Sequence, residues 1–149
     1  MKKLITLVLI LTVALVNVQA KEIFPVSESI KRSFLKEFTT ANDVAWSFVN
    51  DGDLYKATFL FDGKELNAYF SKEGHFVGTS RYISRQQVPV VVIQQLDKQY
   101  SDYVVRTIIE YASKDQTSYF ITIEGKKSAR MIKASPSGDF TYVKKIKKS

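Results

Sequence analysis

Two stretches of this sequence run through the same pattern about 63 residues apart. Each opens at a proline, continues as an amphipathic helix, and then alternates apolar and polar residues through four short segments separated by turn signals. Pro25 and Pro89, Tyr55 and Tyr119, Gly74 and Gly138, and Phe76 and Phe140 correspond at an offset of 64. Gly63 and Gly125 correspond at 62. A period of this length marks two copies of one supersecondary unit. The pattern predicts an α+β fold: two tandem helix-plus-four-strand units forming one antiparallel sheet with both helices on one face.

In the first unit, about residues 22–84, Ser27 caps a helix whose Ile30, Phe34 and Phe38 recur at spacing four. Val44, Trp46 and Phe48 share one strand face, as do Tyr55, Ala57, Phe59 and Phe61. Trp46 reads as core. Asn50-Asp51-Gly52 and Lys72-Glu73-Gly74 mark turns, and a fourth strand runs from about His75 to Ile83. Asp62-Gly63 is a strong two-residue hairpin signal. It pairs residues whose numbers total 125, which sets Phe59 against Leu66, Ala57 against Ala68 and Tyr55 against Phe70 on one apolar face.

The second unit, about residues 88–146, opens with Pro89 at the first helical position and a Val92, Leu96, Tyr100 stripe. Strands follow over Tyr103–Ala112, around Tyr119, Ile121 and Ile123, around Ala129 and Met131, and around Phe140 and Tyr142. Ser84–Gln87 links the units. Phe34, Phe59, Leu66, Leu96, Ile121 and Met131 are expected in the core.

Ahead of these units, Lys2 and Lys3 precede an apolar run from Leu4 to Val16, and small residues lead to Ala20. This is the layout of a secretory signal peptide over residues 1–20, with a mature domain over 21–149. The run is too short to span a bilayer. The expected location is bacterial, periplasmic or secreted, with no membrane span after signal removal. The chain contains no cysteine and one histidine, which excludes disulfide frameworks, thiol nucleophiles and cysteine–histidine zinc sites.

No metal site, cofactor or catalytic residue is expected. His75 reads as a solvent-facing turn or strand residue. The oxygens of Asn50, Asp51 and Asp53 lack the spacing of a calcium loop. No nucleophile elbow or phosphate-binding glycine loop occurs. Of the formal charge of +7, residues 126–149 carry eight basic residues against Asp139. That basic end suits an anionic lipid or glycan, or a solvated tail. Nucleic acid is not an expected partner of an exported protein.

The sheet face away from the helices is the other candidate. Taking Lys72-Glu73-Gly74 as a three-residue loop pairs residues totalling 146. That sets Tyr69 opposite Val77, Asn67 opposite Thr79 and Glu65 opposite Arg81 on the open face. Phe120, Thr122, Arg130, Ile132 and Val143 are expected on the same side. Tyr69, Arg81, Phe120 and Arg130 are therefore the expected partner-binding residues, since tyrosine and arginine commonly anchor protein interfaces.

Several local features together resemble the PepSY-like family related to the β-lactamase inhibitory protein. They are the Ser27–Phe38 helix, Trp46 before an Asp-Gly turn, Tyr55-Lys56-Ala57-Thr58-Phe59, the Asp62-Gly63 hairpin, Tyr69-Phe70-Ser71-Lys72-Glu73-Gly74, and the Val88-Pro89 helix start. The resemblance spans most of residues 22–146. It implies an exported, non-enzymatic binding domain with a curved sheet, helices on one face and a concave open face, of a kind that holds proteases or other enzymes in check. The inhibitor relatives carry disulfides and this chain has none. No segment here matches an inhibitory loop, so inhibition of a β-lactamase is not implied.

Overall fold

A computed structural model describes residues 25–49 and 53–146. The segment expected to be a signal peptide, the turn expected at residues 50–52, and Lys147 and Lys148 lie outside the described residues.

Helix α1 spans Glu28–Glu37, and the Ser27 hydroxyl accepts from the Ile30 amide at its N-terminus. Strands β1 (Asn42–Val49), β2 (Leu54–Phe61), β3 (Lys64–Phe70) and β4 (Phe76–Tyr82) follow. A 3-10 turn at Arg85–Gln87 leads into α2 (Val90–Gln99). Pro89 sits one position before the helix, as its N-cap, rather than at the first helical position. Strands β5 (Val104–Ala112), β6 (Thr117–Glu124), β7 (Ala129–Ala134) and β8 (Phe140–Ile146) complete the chain. All eight strands form one sheet in sequence order, each antiparallel to its neighbour.

The register explains where the helices lie. The β2–β3 hairpin pairs as its turn dictates, with Phe59 opposite Leu66, Ala57 opposite Ala68 and Tyr55 opposite Phe70. Asp62 and Gly63 both take positive φ, 49° and 73°, the type I′ geometry that follows the strand twist. From Ala68 the same face continues through Thr79 and Ala112 to Thr117. One pair further along it runs from Arg81 through Glu110 to Tyr119 and Ala134. Directly opposed residues share a face, so the surface covered by α1 and that covered by α2 are on one side of the sheet.

Each helix seals its own core. Under α1, Ile30 and Phe34 pack on Ala57, Phe59, Ala68 and Phe70. The Phe34 ring meets Phe59 edge-on at 5.0 Å and Trp46 at 5.5 Å. Under α2, Val92 and Leu96 pack on Ile108, Tyr119, Ile121, Ile123 and Ile132. Between the two cores Arg81 Nε donates to Glu110 Oε1 at 2.9 Å.

Met131 departs from expectation. It opposes Thr122 on the helix-free face, and Ile132 takes its place in the core. The cause is the loop between β6 and β7. Gly125–Ser128 closes a four-residue connection in which the Gly125 amide donates to the Ser128 carbonyl at 2.9 Å. That length sets Ile121 opposite Ile132 and Ile123 opposite Arg130. Residues 140–146 form the paired strand expected around Phe140 and Tyr142, so this part of the basic end is not a tail.

Phe59 is 3% exposed, and its strand neighbour Leu60 is 61% exposed. Phe59→Ala is expected to cost about 3–5 kcal/mol by denaturant unfolding, through lost transfer energy and a residual cavity. Leu60→Ala is expected to change stability by less than about 0.5 kcal/mol.

Candidate functional site

The helix-free face is the candidate site, and the ladders specify its membership. Tyr82 opposes Ile109, Ile109 opposes Phe120, and Phe120 opposes Lys133. These side chains form a row across four strands. Tyr82 is 66% exposed, and Ile109 and Phe120 are half-buried. A second row runs Thr58, Asn67, Ser80, Tyr111 and Ser118. A third holds Lys56, Tyr69 and Gly78.

The second and third rows are tied by hydrogen bonds. Thr58 Oγ1 donates to Asn67 Oδ1 at 2.7 Å, and the Tyr69 hydroxyl and Ser80 Oγ share a bond of 2.8 Å. The Tyr69 and Tyr111 rings lie 6.3 Å apart, centroid to centroid. Tyr111 reaches over Gly78, where a Cβ would stand 2.9 Å from the phenol oxygen and 2.6 Å from the Ala112 carbonyl oxygen. Only glycine leaves room there. The face is thus a rigid, tyrosine-rich platform beside an apolar row, with Lys56 and Lys133 at its flanks.

Two of the four expected residues, Tyr69 and Phe120, lie on this platform. Arg81 and Arg130 do not. For Arg81 the cause is a one-residue bulge in β4. Phe70 opposes Phe76, in line with the expected loop, but Tyr69 opposes Gly78 and Asn67 opposes Ser80. The extra residue, Val77, moves every later side chain of β4 to the other face. Arg81 therefore sits on the helix side with Glu110. Arg130 is on the helix side because of the four-residue β6–β7 loop, and its guanidinium carbon lies 5.2 Å from the Tyr103 ring centroid. Ile132 is also a core residue, 1% exposed, and not part of the open face.

Tyr82, Ile109 and Tyr111 belong to the platform but were not singled out from sequence. The β5 segment Val104-Val105-Arg106-Thr107-Ile108-Ile109-Glu110-Tyr111-Ala112 alternates poorly, so its faces are not legible. His75 is exposed beside the Ser71–Gly74 turn, as expected. Trp46 packs against the α1 core, also as expected. Among the described residues no group of three metal-capable side chains converges, and no helix is long and apolar enough to cross a membrane.

Burial pushes the Tyr111 phenol above the ordinary 10.0, and Tyr69 beside it adds to the shift. Burial also raises Tyr119, with the Glu110 carboxylate adding and Arg81 opposing. In both cases the folded state favours the neutral phenol, so the stability they contribute is complete below pH 10 and declines as pH rises beyond it. A spectrophotometric titration should show two tyrosines ionising later than free tyrosine, and Tyr111→Phe should remove one.

No family model matches the chain, and no curated protein matches it by sequence. Solved structures do match. A protein from Bacteroides eggerthii described as periplasmic aligns with TM-score 0.75 at 20% identity, covering 83% of this chain and 91% of that one. A DUF2874 family protein from Bacteroides ovatus aligns with TM-score 0.74 at 21% identity, covering 82% and 89%. A BLIP-like protein from Bacteroides fragilis aligns with TM-score 0.71 at 19% identity, covering 86% and 92%. The fold expected from the sequence resemblance is therefore present: this chain has the architecture of the BLIP-like and DUF2874 family proteins.

Proposed function

We propose that the protein is an exported, non-enzymatic binding module that receives a protein or peptide partner on the helix-free face of its sheet. The observation that carries this reading is the apolar row Tyr82, Ile109 and Phe120 beside the hydrogen-bonded Tyr69–Ser80 platform, on a face that neither helix covers. Side chains held in place before binding lose little entropy when a partner docks. Tyrosines add large apolar area with a polar tip, which suits recognition rather than further core packing. The periplasmic description of one structural neighbour supports export, as does the signal-like start of the sequence. The BLIP-like description of another supports a regulatory role towards an enzyme. The partner is an unidentified protein or peptide of the cell envelope.

The test is a double variant, Tyr82→Ser with Phe120→Ser, used as bait in a cross-linking capture from envelope extract beside the unchanged protein. Tyr82 is largely exposed, so its change is expected to cost little stability, whereas Phe120 is half-buried and its change is expected to lower the melting temperature. Circular dichroism is to confirm that the double variant is folded before capture. Loss of both anchors is expected to weaken capture at least about thirtyfold, the equivalent of ~2 kcal/mol. Unchanged capture by a folded double variant would remove the open face from consideration.

A further inference from the structure

A second site lies at the end of the sheet where β6 turns into β7, apart from the platform. A cleft of about 610 Å³ opens there, with Lys126, Lys127 and Arg130 around it and Asp102 as the acid among them. Tyr103 forms one wall. Its ring packs so closely on Gly125 that a Cβ would stand 2.9 Å from Cε1. Arg130 lies over the same ring at 5.2 Å, a cation–π arrangement that holds the guanidinium in one place.

The strand register concentrates charge further. Arg130 lies directly opposite Lys145, and Lys144 opposes the next residue, Met131. Like charges opposed across an antiparallel ladder weaken the sheet. β8 is an edge strand, where exposed lysines also keep the edge from pairing with another chain, and at Arg130 they add to the positive charge beside the cleft. The nearby Glu124 carboxylate accepts from Arg106 at 2.6 Å.

We propose that this cleft binds a phosphate group. Arg130, fixed on Tyr103, presents a planar fork matched to two phosphate oxygens. Lys127, which lines the cleft, and Lys145, which opposes Arg130 across the ladder, add positive charge around it. A single carboxylate would satisfy the fork alone, whereas a phosphate group offers further acceptor oxygens to the lysines around it. Free phosphate and a phospholipid headgroup both present this chemistry. The proposal is independent of the platform, since none of these residues lies in its rows.

The experiment is calorimetric titration of the exported chain with pyrophosphate at low salt. A parallel arm measures co-sedimentation with vesicles of phosphatidylglycerol and phosphatidylcholine, against phosphatidylcholine alone. Two variants accompany it: Arg130→Lys, which keeps the charge but loses the fork, and Lys126→Gln with Lys127→Gln, exposed positions whose change should leave the melting temperature unaltered. Each is expected to bind at least about tenfold more weakly, with affinity falling as salt rises. Pyrophosphate binding that both variants weaken supports a soluble phosphate ligand. Binding confined to phosphatidylglycerol vesicles and weakened the same way supports a headgroup. Binding of neither, or binding that both variants retain in full, overturns the proposal. The Tyr82→Ser, Phe120→Ser variant should bind either probe normally, so failure of the platform reading and failure of this one are separable.

Discussion

In an antiparallel sheet, the hydrogen-bonded register assigns each side chain to one of two faces, and a slip of one residue reverses the assignment for the rest of the strand. Every feature of this protein follows from how eight strands settle that choice. Ala57, Phe59, Ala68 and Phe70 meet α1, and Ile108, Tyr119, Ile121 and Ile132 meet α2. What remains on the other side is a tyrosine-rich surface that neither helix covers. The bulge at Val77 is the pivotal irregularity. It sends Arg81 to the helix side, where Glu110 takes its charge, and brings Gly78 and Ser80 under Tyr111 and Tyr69.

The two helices serve separate cores rather than one. Between them the helix face carries Thr79, Arg81, Glu110 and Ala112, a narrow and partly polar strip. The Arg81–Glu110 pair is partly exposed and so adds little stability by itself. Its value is in filling that strip without leaving an unpaired charge beside Tyr119. The continuous sheet, not helix packing, makes the two halves one body.

Much of this was legible in the sequence because the signals were local. Ser27 and the Ile30, Phe34, Phe38 stripe placed α1, and Asp62-Gly63 fixed one hairpin register to the residue. The order of one helix and four strands, twice, also followed from turn chemistry and period-two alternation. The misassigned strand faces came from irregular registers. A bulge adds one residue with no sequence signature, and the β6–β7 segment Glu124-Gly125-Lys126-Lys127-Ser128 does not announce its loop length. Arg81, Arg130 and Met131 were misplaced for that reason. Tyr82 was missed because the same bulge carries it to the open face, and Ile109 and Tyr111 because they sit in an apolar strand with no clear alternation. The like-charge pairing of Arg130 with Lys145 is invisible until β7 and β8 are aligned.

The account depends on the register of β3 against β4, and nuclear Overhauser contacts across that ladder measure it directly. The expected spectrum shows backbone contacts of Tyr69 with Gly78 and of Asn67 with Ser80, and a side-chain contact between the Tyr69 and Tyr111 rings. Contacts of Tyr69 with Val77 and of Asn67 with Thr79 would contradict it. They would return Arg81 to the open face and dismantle the platform on which the proposed binding surface stands.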